Sequence, residues 1–153
     1  MNSITFFAQG KPCTAGSKTA IRRGNRIIMV NDADMGKRKN VSATWRNIVA
    51  VASRLAYSGE PIGRCPIELE MCFLLVRPQR HFRKSRGVDI LREDAPKHHL
   101  QKPDAMKMGR AVEDALTGIM WIDDCCNVSV TARKGWVLNE DEQGVVVTIT
   151  LKD

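Results

Sequence analysis

The sequence predicts an α/β fold in a single small domain over residues 1–153, with two helices packed on a mixed β-sheet. Several short stretches alternate apolar and polar residues, which is typical of strands with one buried face. Two longer stretches repeat apolar residues every three or four positions, which is typical of helices with one buried face. Apolar residues make up 43% of the chain, enough for one substantial core at this length.

The N-terminal part is predicted to contain two strands. Residues 3–9 alternate apolar and polar side chains and form the first strand, which ends at Gly10-Lys11-Pro12. Residues 13–16 are small and indicate a turn, and a basic loop follows them. The second strand is predicted over residues 26–31, with a hairpin turn at Arg23-Gly24-Asn25.

The first helix is expected to follow a compact basic run over residues 36–40. Either Asn40 or Ser42 can serve as its N-cap, and Gly59 and Pro61 end it. Its buried stripe is predicted to consist of Trp45, Ile48, Val49, Ala52, Leu55 and Ala56.

The remaining strands surround one long segment without periodicity. Residues 66–76 change from alternating to continuously apolar, which indicates a strand that passes into the core. Residues 77–102 show no periodicity, and a loop of this length in a compact domain is usually functional or disordered. Because this segment is rich in Lys and Arg, we expect it to form a flexible nucleic-acid clamp. Two further strands are predicted over residues 126–133 and 144–151, joined by an acidic turn. The predicted order is therefore β-β-α-β-loop-α-β-β.

The second helix occupies the centre of a stretch that runs from Lys102 to Asp124. It is predicted from about Pro103 to Thr117, and Gly118 can take a left-handed conformation just beyond its end. Its apolar face is expected to consist of Met108, Ala111, Val112, Ala115 and Leu116. Carboxylates lie at the start of this helix and just beyond its end. Gathered from the two ends of a strand–helix unit, they could hold a hard divalent cation.

The net charge of +7 is unevenly distributed. Residues 1–50 carry nine Lys or Arg against two acids, and residues 77–110 carry ten against four. Residues 111–153, in contrast, carry three against eight. This asymmetry suits a protein that attracts a polyanion and concentrates metal at one point on it. The alternative is a solvated surface whose charge only keeps the protein soluble.

The cysteines and the hydropathy pattern indicate a cytoplasmic protein. The five cysteines are odd in number and lack C-x-x-C spacing, so we expect reduced thiols in a bacterial-type cytoplasm and no zinc site. No apolar run approaches the roughly 18–20 residues that span a bilayer, so no membrane association is expected. The N-terminus lacks the charged-then-apolar pattern of a signal peptide.

At the central stretch the sequence resembles the RusA-type Holliday junction resolvases, crossover-junction endodeoxyribonucleases of bacteria and their phages. Three features match in order along nearly the whole chain. They are Gly10-Lys11-Pro12, then Lys102-Pro103-Asp104 before a helix that ends Asp114-Ala115-Leu116-Thr117-Gly118, and Trp121-Ile122-Asp123-Asp124. The resemblance implies a small α/β fold, a symmetric homodimer, magnesium dependence, and paired nicking of four-way DNA junctions in recombination and repair.

The resemblance also implies site residues. The family's metal ligands fall on Asp104 and on the pair Asp123 and Asp124, which would bind Mg²⁺, with Mn²⁺ as a substitute. The family's basic helix residue, commonly Lys, falls on Arg110, which would neutralise charge on the reacting phosphate. Its second aspartate falls on Met106, whose thioether is a poor ligand for Mg²⁺.

Two expectations therefore stay open. The remaining carboxylates hold the metal with extra water, or the chain is a weakened or inactive relative. Glu113 shares the helix face of Met106 but lies about 10 Å further along the axis, too far to replace the missing ligand.

DNA contacts are predicted in the basic segments, mostly to the phosphate backbone. The residues concerned are Lys11, Lys18, Arg22, Arg23, Lys37, Arg38, Lys39, Arg80, Arg83, Lys84, Lys102 and Lys107. Two rival functions remain: a branched-DNA-binding protein without catalysis, and a basic ribonucleoprotein domain, which rests on charge alone.

Structural roles compete with the predicted catalytic ones. Asp104 can simply cap the helix, and Arg110 can pair with Asp114 four residues on. The Asp123-Asp124 pair can form a turn before a strand. His98 and His99 are adjacent and so rarely point the same way, which argues against a metal role. Trp121 is expected in the core.

Overall fold

The computed structural model describes residues 3–16, 18–31, 34–35 and 40–153. Within these ranges it contains two α-helices and eight strands, and the predicted α/β fold with a mixed sheet is confirmed. The elements are β1 (Ser3–Gln9), β2 (Lys18–Arg23), β3 (Arg26–Asn31), α1 (Val41–Ala56), β4 (Ile67–Val76), β5 (Phe82–Ser85), β6 (Val88–Leu91), α2 (Ala105–Leu116), β7 (Asn127–Val137) and β8 (Gly144–Leu151). No helix in these ranges is long and apolar enough to cross a membrane.

Four strands form the main sheet in the order β1-β8-β4-β7. The strands β4 and β7 are parallel, whereas β8 is antiparallel to both β1 and β4. The alternate residues Leu69, Met71 and Phe73 of β4 are almost fully buried, because both neighbouring strands and the helix layer cover that face. The strand β4 is therefore the centre of the core.

Both helices pack against this sheet and against each other. The helix α1 lies over β1, and α2 lies over β7. Gly109 allows a close approach, since a Cβ atom there would lie 3.1 Å from the Cε atom of Met71. Trp121 is fully buried, which confirms its predicted place in the core.

The helix α2 runs antiparallel to β7. Near its start, the ammonium Nζ of Lys134 donates to the carbonyl of Pro103 at 3.1 Å. Near its end, the side chain of Asn127 donates to Oε1 of Glu113 at 3.0 Å. The beginning of α2 therefore lies beside the C-terminal half of β7, and its end lies beside the start of β7.

The predicted bounds of α2 were two residues too long at the start. The helix begins at Ala105 rather than Pro103, because Asp104 has an extended backbone and serves as the N-cap. Its predicted buried face is confirmed. Gly118 has a φ of 80°, which confirms the left-handed conformation expected beyond the helix.

The predicted buried stripe of α1 was wrong in its last turn. Leu55 is 85% exposed and Ala56 is also exposed, whereas Ser53 is fully buried. The row that faces the core continues from Trp45 through Val49 to Ser53 at intervals of four residues. Leu55 lies on a different side of the helix, so an apolar side chain alone did not indicate burial there.

The side chain that caps the start of α1 comes from outside the helix. Asn40 occupies the cap position in a left-handed conformation, without a side-chain cap bond. Instead the backbone N–H of Ser42 donates to Oδ1 of Asp34 at 2.9 Å, and the hydroxyl of Ser42 bonds the other oxygen. Asp34 therefore satisfies a backbone donor that Asn40 or Ser42 was expected to satisfy.

Two segments predicted as loops contain β-ribbons. Residues 18–23 pair with residues 26–31, so only the second strand of that hairpin was predicted. Residues 77–102 contain a short 3-10 turn and the β5–β6 hairpin. The sequence did not show β2, β5 and β6 because most of their side chains are exposed, so the alternation of buried and exposed residues that indicates a strand is missing.

The segment before β7 also differs from the prediction. Residues 124–126 form a 3-10 turn, so the strand does not begin at Cys126 as predicted. The strand itself starts at Asn127 and continues to Val137, beyond the predicted end at residue 133.

Candidate active site

One face of α2 is exposed and carries two of the four predicted catalytic residues, Asp104 and Arg110. Asp104, Lys107, Arg110 and Asp114 follow each other at intervals of three or four residues, so they lie along one side of the helix. The opposite side packs on the sheet. Burial of that apolar side therefore orients these charged groups towards solvent.

Asp104 caps the start of α2. Its Oδ1 atom accepts a hydrogen bond from the backbone N–H of Met106 at 3.0 Å, so the structural role considered for this residue is present. The Met106 side chain is 63% exposed beside it. An aspartate at position 106 would therefore project into solvent without displacing the core.

Asp123 and Asp124 lie in the turn before β7. The backbone N–H of Cys125 donates to Oδ1 of Asp123 at 3.0 Å. This hydrogen bond, with smaller contributions from the Cys125 and Asp124 side chains, holds the pKa of Asp123 below its usual range. The same carboxylate raises the pKa of the Cys125 thiol. Asp123 is therefore a stable anion at the surface.

The predicted metal ligands do not come together within one chain. Asp104 precedes α2, whereas Asp123 and Asp124 follow the turn beyond its end. The helix has 12 residues and is therefore about 18 Å long. The described ranges hold no group of three or more His, Cys, Asp or Glu side chains able to hold a metal ion. Among the described residues, the structure therefore does not gather Asp104 with Asp123 and Asp124 into one such group.

An open groove of about 540 Å³ lies beside Arg110. Lys18 and Arg46 line it together with Arg110, so three cations face the same space. Asp114 also lines the groove, and its Oδ1 lies 3.4 Å from Nε of Arg110. This is the pairing considered from the sequence, and because both groups are exposed it contributes little to stability.

The loop before β2 forms one wall of this groove. Its backbone is joined to α2, since the N–H of Ala15 donates to the carbonyl of Lys107 at 2.9 Å. Sequence reasoning did not select Arg46, which lies on the polar face of α1. No local pattern indicated Arg46, because it reaches the groove only through the packing of α1 against α2.

A known protein family matches most of the chain. The model of the endodeoxyribonuclease RusA family matches residues 10–150. The chain belongs to the RusA family. No individual curated protein matches the sequence. RusA-family proteins are nucleases that act on Holliday junctions and bind branched DNA, and they generally depend on a divalent metal.

The predicted DNA-binding residues of this RusA-family chain lie on several exposed segments. Lys18, Arg22 and Arg23 belong to the β2–β3 ribbon, whereas Lys102 and Lys107 lie at the start of α2. Lys11, Arg80, Arg83 and Lys84 are also exposed. Lys84 pairs with Asp89 at 2.9 Å across the β5–β6 hairpin. Lys37, Arg38 and Lys39 lie outside the described residues.

Aromatic side chains and one arginine pack the segment of residues 92–104 against the main sheet. The rings of His81 and His99 lie 5.1 Å and 4.2 Å from that of Trp136, and the Arg77 guanidinium lies 5.3 Å from the same ring. Burial, followed by the charge of Lys134, lowers the pKa of His99. Burial, followed by the charges of Arg77 and Arg80, lowers the pKa of His81. Both imidazoles therefore resist protonation in the fold.

We expect the free energy of unfolding to decrease as the pH falls below about 6.5, the ordinary pKa of His. The unfolded chain takes up the proton first, because the pKa of His99 is lowered in the folded state. This contribution is complete above that pH and is lost progressively below it. Urea unfolding between about pH 5 and pH 8 would measure it.

The variant His99→Gln is expected to reduce this pH dependence. His98→Gln is the matched control, because the neighbouring His98 is exposed. An unchanged pH dependence in His99→Gln would show that His99 does not couple protonation to folding.

Proposed function

We propose that the protein is a magnesium-dependent, structure-selective endodeoxyribonuclease that resolves Holliday junctions and other branched DNA in recombination and repair. The observation that carries this proposal is the groove beside Arg110 in a chain of the RusA family. Three cations line it, which suits a phosphate backbone, and it lies on the helix face that also carries Asp104.

Within this groove, Arg110 is proposed to neutralise charge that develops on the reacting phosphate. Asp114 orients the guanidinium through the 3.4 Å ion pair. Lys18 and Arg46, from β2 and α1, hold the DNA backbone on either side. Mg²⁺ is the proposed cofactor and Mn²⁺ its substitute, with Asp104, Asp123 and Asp124 as the proposed ligands.

Separation of these carboxylates within one chain supports a homodimer as the active form. Asp104 and the Asp123-Asp124 pair lie at opposite ends of α2, and Asp104 and Asp123 are exposed. A two-fold axis that brings the start of one α2 near the end of the other would supply carboxylates from both copies to each site. Such a dimer would also provide two sites for paired nicks.

The second candidate is a junction-binding protein with weak or no catalysis. Met106 favours it, because this exposed thioether replaces a carboxylate next to Asp104. The basic groove and ribbons do not depend on this position, so DNA binding would persist without cleavage.

Incubation with a labelled four-way junction and a linear duplex of the same sequence tests the proposed function. With Mg²⁺ or Mn²⁺ we expect paired nicks near the branch point of the junction and none in the duplex. Tight junction binding without nicks in either metal would reject the enzyme and favour the second candidate.

We expect Met106→Asp to increase the nicking rate about 10-fold or more, because it adds a hard oxygen ligand beside Asp104. The exposed side chain can be replaced without loss of core packing. Initial rates at several Mg²⁺ concentrations measure the effect, which should include a lower metal requirement. Met106→Gln serves as the control of similar size without charge. Equal rates for Met106→Asp and Met106→Gln would exclude a ligand role for position 106.

A further inference from the structure

The β2–β3 ribbon projects from the fold and carries exposed apolar side chains. Its strands form a two-stranded sheet of their own and do not extend the main sheet. An isolated two-stranded hairpin is only marginally stable in water. Large apolar side chains left exposed on such a ribbon therefore suggest that something else covers them. Ile27 is 76% exposed and Met29 is 61% exposed.

The strand register places these apolar groups on one face. Ile27 is paired with Arg22 and Met29 with Ala20, and paired residues of an antiparallel ribbon share a face. Lys18 lies on that same face, two residues before Ala20. The opposite face carries Ile21, Ile28 and Val30, which are partly buried. The more exposed face is therefore apolar in its middle and cationic beside it.

The charge of the ribbon identifies the kind of partner. Residues 18–31 contain four Lys or Arg and no acid. Two such ribbons packed together would oppose like charges, which disfavours a second copy of the chain on this face. A polyanion complements the charge, and a two-stranded ribbon has the width that the DNA major groove admits.

The same face leads into the candidate active site. Met29 and Lys18 line the groove that also contains Arg110. DNA whose backbone lies along that groove would therefore meet Met29 and then Ile27. Architectural DNA-binding proteins insert apolar side chains between base steps, and such insertion costs least where stacking is already interrupted, as at a branch point.

We infer that the β2–β3 ribbon is a wedge that inserts Ile27 and Met29 into the branch point of junction DNA and unstacks the bases there. This inference rests on the proposed function and adds the means by which branched DNA is distinguished from a linear duplex. Lys18 and Arg22 bind the phosphate backbone and so provide affinity, whereas Ile27 and Met29 separate the stacked bases.

The test uses the full-length protein and a four-way junction that carries 2-aminopurine at the branch point, without divalent metal so that the DNA stays intact. Binding is expected to increase the fluorescence several-fold, because an unstacked 2-aminopurine is brighter. Ile27→Thr and Met29→Thr should lower this increase by more than half while the affinity stays within about three-fold, since the phosphate contacts remain. Arg22→Ala should instead weaken binding and reduce the salt dependence by about one unit.

Val128→Thr, an exposed apolar residue on β7, is the matched control and should behave as the wild type. Thermal unfolding of each variant confirms that the ribbon substitutions leave the fold intact. A junction that binds without a fluorescence increase overturns the wedge but leaves the nuclease proposal standing. Absence of junction binding overturns both proposals. An unchanged fluorescence increase in Ile27→Thr, or a loss of dimer alone in that variant, also overturns the wedge.

Discussion

Replacing Asp104 by Asn is expected to reduce junction nicking by about 100-fold or more without lowering stability. The substitution separates the two roles of this residue. Asparagine accepts the N-cap hydrogen bond from Met106 as well as aspartate does, so α2 should keep its start. The negative charge needed to hold a divalent cation is lost. Nicking rates with saturating Mn²⁺ and thermal unfolding of the same preparation measure both effects.

Two further variants complete this experiment. Asp104→Ala removes the cap as well, so it should lose activity and about 1 kcal/mol of stability. Asp141→Asn, in the exposed turn between β7 and β8, is the control for a change of charge and should retain full activity. Full activity in Asp104→Asn would show that Asp104 only caps the helix, and would remove it from the proposed metal ligands.

Replacing Leu116 by Ala is expected to lower the free energy of unfolding by about 2–5 kcal/mol. Leu116 is fully buried at the end of α2, where truncation leaves a cavity between the helix and the sheet. The matched variant is Leu55→Ala in α1, which removes the same atoms from a side chain that is 85% exposed. Its expected effect is within about 0.5 kcal/mol.

Urea unfolding monitored by tryptophan fluorescence measures both leucine variants under one set of conditions. Comparable losses of stability would contradict the assignment of Leu55 to the exposed side of α1. They would instead favour the buried stripe that the spacing of apolar residues predicted, or a partner that covers this side in solution.

The sequence predicted helices and strands best where one face of the element is buried, because burial of one face produces a regular repeat of apolar residues. The alternation in β1, β4 and β8 and the repeat in α2 come from one covered face, so these elements could be predicted. The strand β2 and the β5–β6 ribbon could not, because pairing between strands, rather than burial, holds them together. Leu55 shows the opposite error. It was predicted to be buried because it is apolar and nearly at helical spacing, but it lies outside the buried row that Trp45, Val49 and Ser53 form.

The candidate active site was likewise predicted only in part. The spacing of charged residues along α2 indicated a possible pair between Arg110 and Asp114, which the structure contains on the exposed side of the helix. Lys18 of β2 joins Arg110 because the loop at residues 13–16 is bonded to α2, and Arg46 of α1 joins it because α1 packs against α2. No local pattern specifies contacts between segments so far apart in the sequence.

By itself, the sequence determined the fold class, the apolar face of α2 and the family motifs, because periodicity and motif spacing are local properties of the chain. The tertiary structure alone decided which cations share the groove, and that Asp104 is not gathered with Asp123 and Asp124 into one group among the described residues. Distances between elements depend on how helices and strands pack, and α2 is a rigid rod that runs antiparallel to β7. Carboxylates at its two ends are therefore held apart within one chain.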